Sequence, residues 1–150
     1  MTRRQVAALL RMSVGPLAVV GFFLPWAHGP GVLAANHFTG FSLVGFAGRL
    51  QQLDLSLTVG GGLWTARLAI LGVAIAGAWQ TLLAPLHSWH PGYPASGWYL
   101  VVFSALAAAI GVAKSGPAFP PLGLACVIAS AVLFLVARRI TPRAAGQAQD

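Results

Sequence analysis

Residues 63–84 read LWTARLAILGVAIAGAWQTLLA, an unbroken apolar stretch with Arg67 as its single charge and Pro85 as its stop. As a helix, these ~22 residues rise about 33 Å, enough to cross the ~30 Å hydrocarbon core of a bilayer. A helix of a soluble domain buries one apolar stripe and keeps a polar face. This stretch is apolar all the way round, so lipid is its fitting solvent, and the rest of the chain is read as membrane protein.

Composition supports that reading. The 150 residues are 57% hydrophobic and 7% charged, with mean hydropathy +0.78, whereas soluble domains carry roughly a quarter charged residues. Nine Lys+Arg against two Asp+Glu give a net charge of +7. The bases stand at the ends of apolar runs and form no stripe with interleaved aromatics, which argues against nucleic acid as a partner. The single Cys126, inside an apolar run, excludes an internal disulfide and a CxxC redox pair.

Three further spans are expected, near residues 7–27, 94–113 and 120–137. The first is the apolar run 12–27, which follows Arg3, Arg4 and Arg11 and reaches spanning length by extending back through Val6 to Leu10; it contains Gly15-Pro16 as an expected bend and its helix ends at Pro25, with Trp26 at the water interface. A basic start before a short apolar core also describes a secretory signal peptide, with Val32-Leu33-Ala34 as its cleavage site. Pro25 and Trp26 favour a retained span. Pro94 suits the first position of the third helix, with Trp98 and Tyr99 close behind, and Lys114 follows its end. Pro120 and Pro121 open the fourth, and Arg138-Arg139 mark its exit. The tail 140–150 has no apolar period and is expected to be disordered. The expected fold is therefore all-α, a polytopic membrane four-helix bundle. Arg3, Arg4, Arg11, Arg138, Arg139 and Arg143 at the two ends outnumber Arg49, Arg67 and Lys114, which places both termini in the cytoplasm and the chain in the plasma (inner) membrane.

The segment 28–62 is too long for a plain connection. Ser42 is positioned to cap a short helix whose Leu43, Phe46, Ala47, Leu50 and Leu53 recur on one face. Leu53, Leu55, Leu57 and Val59 then alternate with polar residues as in a strand, and 32–38 is the nearest partner. The whole segment is expected to be ordered and folded back over the bundle, because a disordered one would leave Phe38, Phe41 and Phe46 in water.

Few residues offer chemistry. Arg67 lies one turn inside its span and can snorkel outward, stacked on Trp64; Asp54, the only acid before the tail, is expected to pair with Arg67 or with Arg49 and so pin the loop to the bundle. Interface anchoring is the simpler role, and a headgroup site the sharper one. Gln80 is the one amide at membrane depth, with Ser104, Ser130 and Thr81 as hydrogen-bonding candidates. Ala69, Gly72 and Ala76, then Ala107 and Gly111, then Ala125 and Ala129 form small-xxx-small pairs that let helices approach. His87 and His90 make an HxxH that would need a third ligand to hold a metal, and His28 and His37 form a looser pair. No His stands mid-span for haem, and no Asp, Glu or His lies in a span for proton-coupled transport. Paired carboxylates, triads and phosphate loops are missing from the sequence, so neither an enzyme nor a cofactor is expected.

Phe22-Phe23-Leu24-Pro25-Trp26 at the end of the first span, Gly40-Phe41-Ser42-Leu43 in the long loop, and three closely spaced spans after it resemble a group of uncharacterised small bacterial four-span membrane proteins. That resemblance implies the four-span outline and no activity. Gly62-Leu63-Trp64 after a long first loop is similar to claudin-like proteins in topology, but the cysteine pair of their loop is lacking here. The expected role is a non-enzymatic structural, accessory or partner-binding membrane protein, with the bilayer and a homo-oligomer or partner subunit as its contacts. The alternative is a small transporter or channel component with a polar path near Arg67, Gln80 and Ser104.

Overall fold

The computed structural model describes residues 3–28, 37–52, 60–85, 96–115 and 121–140. Over them run α1 (Arg3–Phe23), β1 (Pro25–His28), β2 (His37–Thr39), α2 (Gly40–Gln52), α3 (Gly60–Leu83), α4 (Ser96–Ser115) and α5 (Leu122–Ile140). Three helices are long and apolar enough to cross a membrane, over Gln5–Phe23, Trp64–Leu83 and Leu122–Ile140, and α4 adds a shorter apolar stretch, Ser96–Ile110. They point to a membrane protein. The strand expected over 53–59, the His87/His90 turn and the tail 141–150 lie outside the described residues.

The helix α1 runs unbroken through Pro16 and stops at Phe23, short of the expected residue 27. Its last bond, from the Leu24 amide to the Val20 carbonyl, spans 3.2 Å. Proline disfavours helical backbone in the residue before it, so Leu24 cannot carry the helix on. The chain continues extended instead, and β1 pairs antiparallel with β2 in the register Pro25↔Thr39, Ala27↔Phe38 and His28↔His37, with an irregularity between Pro25 and Ala27. Residues 37–39 are thus a strand, but their partner is the end of the first span.

The hairpin leads straight into α2. Thr39 is its cap: the Ser42 amide donates to Thr39 Oγ1 at 3.2 Å, and Ser42 Oγ donates to the Thr39 carbonyl at 3.0 Å. Ser42 was the cap expected from sequence. It instead sits in the first turn, three residues past the cap, the position whose N–H a capping side chain satisfies.

Four helices close into a ring, α1 against α3 and α5, α4 against α3 and α5. Glycine permits each approach. A Cβ on Gly77 would lie 2.9 Å from Ala18 Cβ, and one on Gly15 would lie 2.8 Å from the Gly77 carbonyl, so α1 and α3 nearly touch. Thr81, whose hydroxyl donates to the Gly77 carbonyl at 2.8 Å, stands closest of all to that place on Gly15. Gly21 and Gly123 do the same for α1 and α5, Gly72 takes the Phe103 ring of α4, and Gly97 takes the Phe134 ring of α5. Val14, Val73, Leu100, Val127 and Phe134 fill the centre and are fully buried. In lipid such contacts gain nothing from leaving water, so dispersion between closely fitted surfaces holds the helices together.

The expected small-residue faces are met in part. Ala69, Ala76 and Ala107 are buried. Ala125 is half-buried and Ala129 exposed, because α5 turns Gly123, Val127, Ala131 and Phe134 inward instead.

Candidate functional site

The residues singled out from sequence fall at two ends of the bundle. At the end where α1 stops, the Trp26 indole is buried, and its Nε1 donates to the Gly21 carbonyl at 2.8 Å. That carbonyl is one of the last in α1 and has no partner within the helix, so Trp26 caps the helix terminus. Its ring also lies over Gly123 and Gly40, tying α1, α5 and the start of α2 together. Trp26 is therefore an internal clamp and not the water-facing anchor expected of it.

Arg67 stands at this same end. Its guanidinium carbon lies 3.5 Å from the place a Cβ on Gly48 would take, so the cation is laid along α2. Trp64, one turn earlier on α3, is exposed. Asp54, the expected partner of Arg67 or Arg49, lies outside the described residues. Leu43 and Val44 pack against the core, so α2 rests on the bundle by Gly40, Val44 and Gly48. Its other side turns outward: Phe41 is 66% and Phe46 51% exposed. The Phe41 ring centroid is 6.5 Å from that of Phe22 and 6.3 Å from that of Phe23, and the Phe38 and Phe46 rings are 6.3 Å apart. Two aromatic groups result on a helix that is itself clamped: exposed Phe41 and Phe23 over the buried Phe22, and exposed Phe46 beside the half-buried Phe38.

Gln80 marks the opposite end. It is 2% exposed, and Ser96 Oγ donates to its Oε1 at 3.0 Å, joining the end of α3 to the start of α4. None of the three expected partners is used. Thr81 and Ser130 donate to carbonyls of their own helices, Gly77 at 2.8 Å and Val127 at 2.7 Å. Ser104 is buried two turns further along α4, and its hydroxyl makes no hydrogen bond among the described residues. Arg67 and Gln80 are almost four turns apart on α3, about 20 Å. The structure does not bring Arg67, Gln80 and Ser104 together.

His87 and His90 lie outside the described residues, and among those described no group of three His, Cys, Asp or Glu side chains gathers. The aromatic surface of α2 is the feature that sequence reasoning placed only in part. Periodicity there put Phe46 on the buried stripe, and the signal that would have corrected it is the pair Gly40 and Gly48, two turns apart on the contact side.

Compared with known proteins, the chain matches no family model, and no curated protein or solved structure matches it.

Proposed function

We propose that this chain is a four-span, non-enzymatic protein of the plasma membrane, both termini cytoplasmic, whose outer end holds a partner protein through α2. One observation carries this reading: Phe41 and Phe46 stand exposed on a helix fixed to the bundle by Gly40, Val44 and Gly48. Large apolar side chains presented on a rigid support, with the basic Arg49 beside them, have the composition of an interaction surface. The fourth span is α4, whose 20 residues reach about 30 Å, the thickness of the hydrocarbon core. Arg11, Arg138 and Arg139 at one end and Arg67 at the other supply the charge bias that sets orientation. The transport alternative needs a polar path joining Arg67, Gln80 and Ser104, and buried Val73 and Ala76 stand between the first two.

A photo-crosslinking residue at position 41 or 46, compared with one at position 132 on the outward side of α5, tests the reading in intact cells. A discrete protein adduct from 41 and 46 and none from 132 is expected. Lipid adducts alone from all three positions would refute it.

A further inference from the structure

The antiparallel register of β1 with β2 sets His28 directly opposite His37. Residues so opposed share one face of a two-stranded ribbon, with Cβ atoms ~4.5–5.5 Å apart. We propose that this pair binds a divalent transition-metal ion, Cu²⁺ most tightly and Zn²⁺ or Ni²⁺ less so, through two imidazoles. The inference stands apart from the partner reading given to α2.

Chelation needs reach and rigidity. Imidazole nitrogens about 2 Å from one ion stand roughly 3 Å apart, a separation that two rings rooted ~5 Å apart on one face can span. A slip of one residue would send the two histidines to opposite faces, so it is the register that makes the pair. Both strands are pinned close by. Two residues before His28, Trp26 is buried and its Nε1 donates to the Gly21 carbonyl at 2.8 Å. Two residues after His37, Thr39 Oγ1 accepts from the Ser42 amide at 3.2 Å. Carrying both ligands on one fixed ribbon makes the second metal–nitrogen bond an intramolecular step, which raises affinity above that of a lone histidine.

The donor set selects the metal. Imidazole suits Cu²⁺, Zn²⁺ and Ni²⁺, whereas Mg²⁺ and Ca²⁺ require oxygen ligands, and no Asp or Glu stands among the described residues. Copper heads the affinity order for nitrogen ligands of this kind. His37 is exposed, and the apolar span of α1 ends at Phe23, so ions reach the ribbon from water. Two protein ligands leave the remaining coordination positions to water, and the ion exchanges where a closed four-ligand site would hold it. Its effect is that of a staple. A two-stranded ribbon is marginal by itself, and an ion across it fixes β1 to β2 immediately before α2 begins.

The test uses the full chain without an affinity tag, in mild detergent, with His87→Ala and His90→Ala introduced to remove the other histidine pair from the count. Titrated with Cu²⁺ and read by pulsed electron paramagnetic resonance, it should bind one ion per chain through two imidazoles. Adding His28→Ala or His37→Ala should leave one imidazole on the ion and weaken binding about tenfold or more. The unsubstituted protein supplies a second reading that depends on no variant folding: Zn²⁺ should protect both His28 and His37 from diethyl pyrocarbonate, as mapped by peptide mass. Copper held through a single imidazole, binding unchanged by either added substitution, or modification of His28 and His37 at the metal-free rate would each overturn the assignment.

Discussion

Replacing Gly123 by alanine should separate α1 from α5. A Cβ there would lie 2.6 Å from the Leu24 carbonyl oxygen, 2.6 Å from Trp26 Cδ1 and 2.8 Å from the Gly21 carbonyl oxygen. Two of the three neighbours are backbone, and the third belongs to an indole held by its bond to Gly21, so no side chain can rotate aside. Ordinary contact returns only if the helices part by roughly 0.8 Å, and a gap of that size forfeits about a quarter to a half of the dispersion attraction along the seam. Overpacking of this kind costs ~1–3 kcal/mol. The higher helix propensity of alanine offsets at most ~1 kcal/mol of it, and less in the first turn of a helix. A net loss of about 1–2 kcal/mol is expected, read as reversible unfolding in mixed micelles by tryptophan fluorescence. Gly45→Ala is the internal standard, since nothing lies within 4 Å of its added Cβ, and it should gain up to ~1 kcal/mol. A Gly123→Ala protein as stable as the parent, or more so, would show that α1 and α5 do not meet at this point.

The tie between Gln80 and Ser96 should appear as a coupling of ~0.6–1.7 kcal/mol in a double-mutant cycle of Gln80→Leu with Ser96→Ala, and strictly additive losses would disprove it. Thr39→Ala should cost ~0.5–2 kcal/mol through the lost cap, concentrated in α2. Hydrogen exchange would then accelerate over residues 40–45 and leave α3 and α5 unchanged. Uniform acceleration would mean that α2 and the bundle unfold together.

Spans are legible in residues 63–84 because length and apolarity belong to one segment and need no partner to be read. The end of α1 was legible to within a few residues for a similar reason, as Pro25 acts on its own neighbour. Contacts between segments are a different matter. Gln80 had three hydroxyls on offer, yet two of them close onto carbonyls of their own helices, and the one it uses stands in the first turn of α4, outside the pattern of mid-span polar residues. Likewise the cap of α2 passed from Ser42 to Thr39 because the pairing of β1 with β2 delivers Thr39 to the helix start, a constraint that no local reading of Gly40-Phe41-Ser42 contains. In α5 the helix is apolar on every side, so its phase cannot be read from polarity, and the inward face fell on Gly123 and Val127 where Ala125 and Ala129 were expected. Alanine tells little here, since it costs nothing anywhere in a helix. Glycine in a helix interior costs ~1 kcal/mol, and Gly15, Gly21, Gly72 and Gly77 all sit where a neighbouring helix leaves no room for a Cβ. In this chain the glycines were the residues that carried the phase of the bundle, and the two on α2 that face inward, Gly40 and Gly48, placed the aromatic surface on its outside.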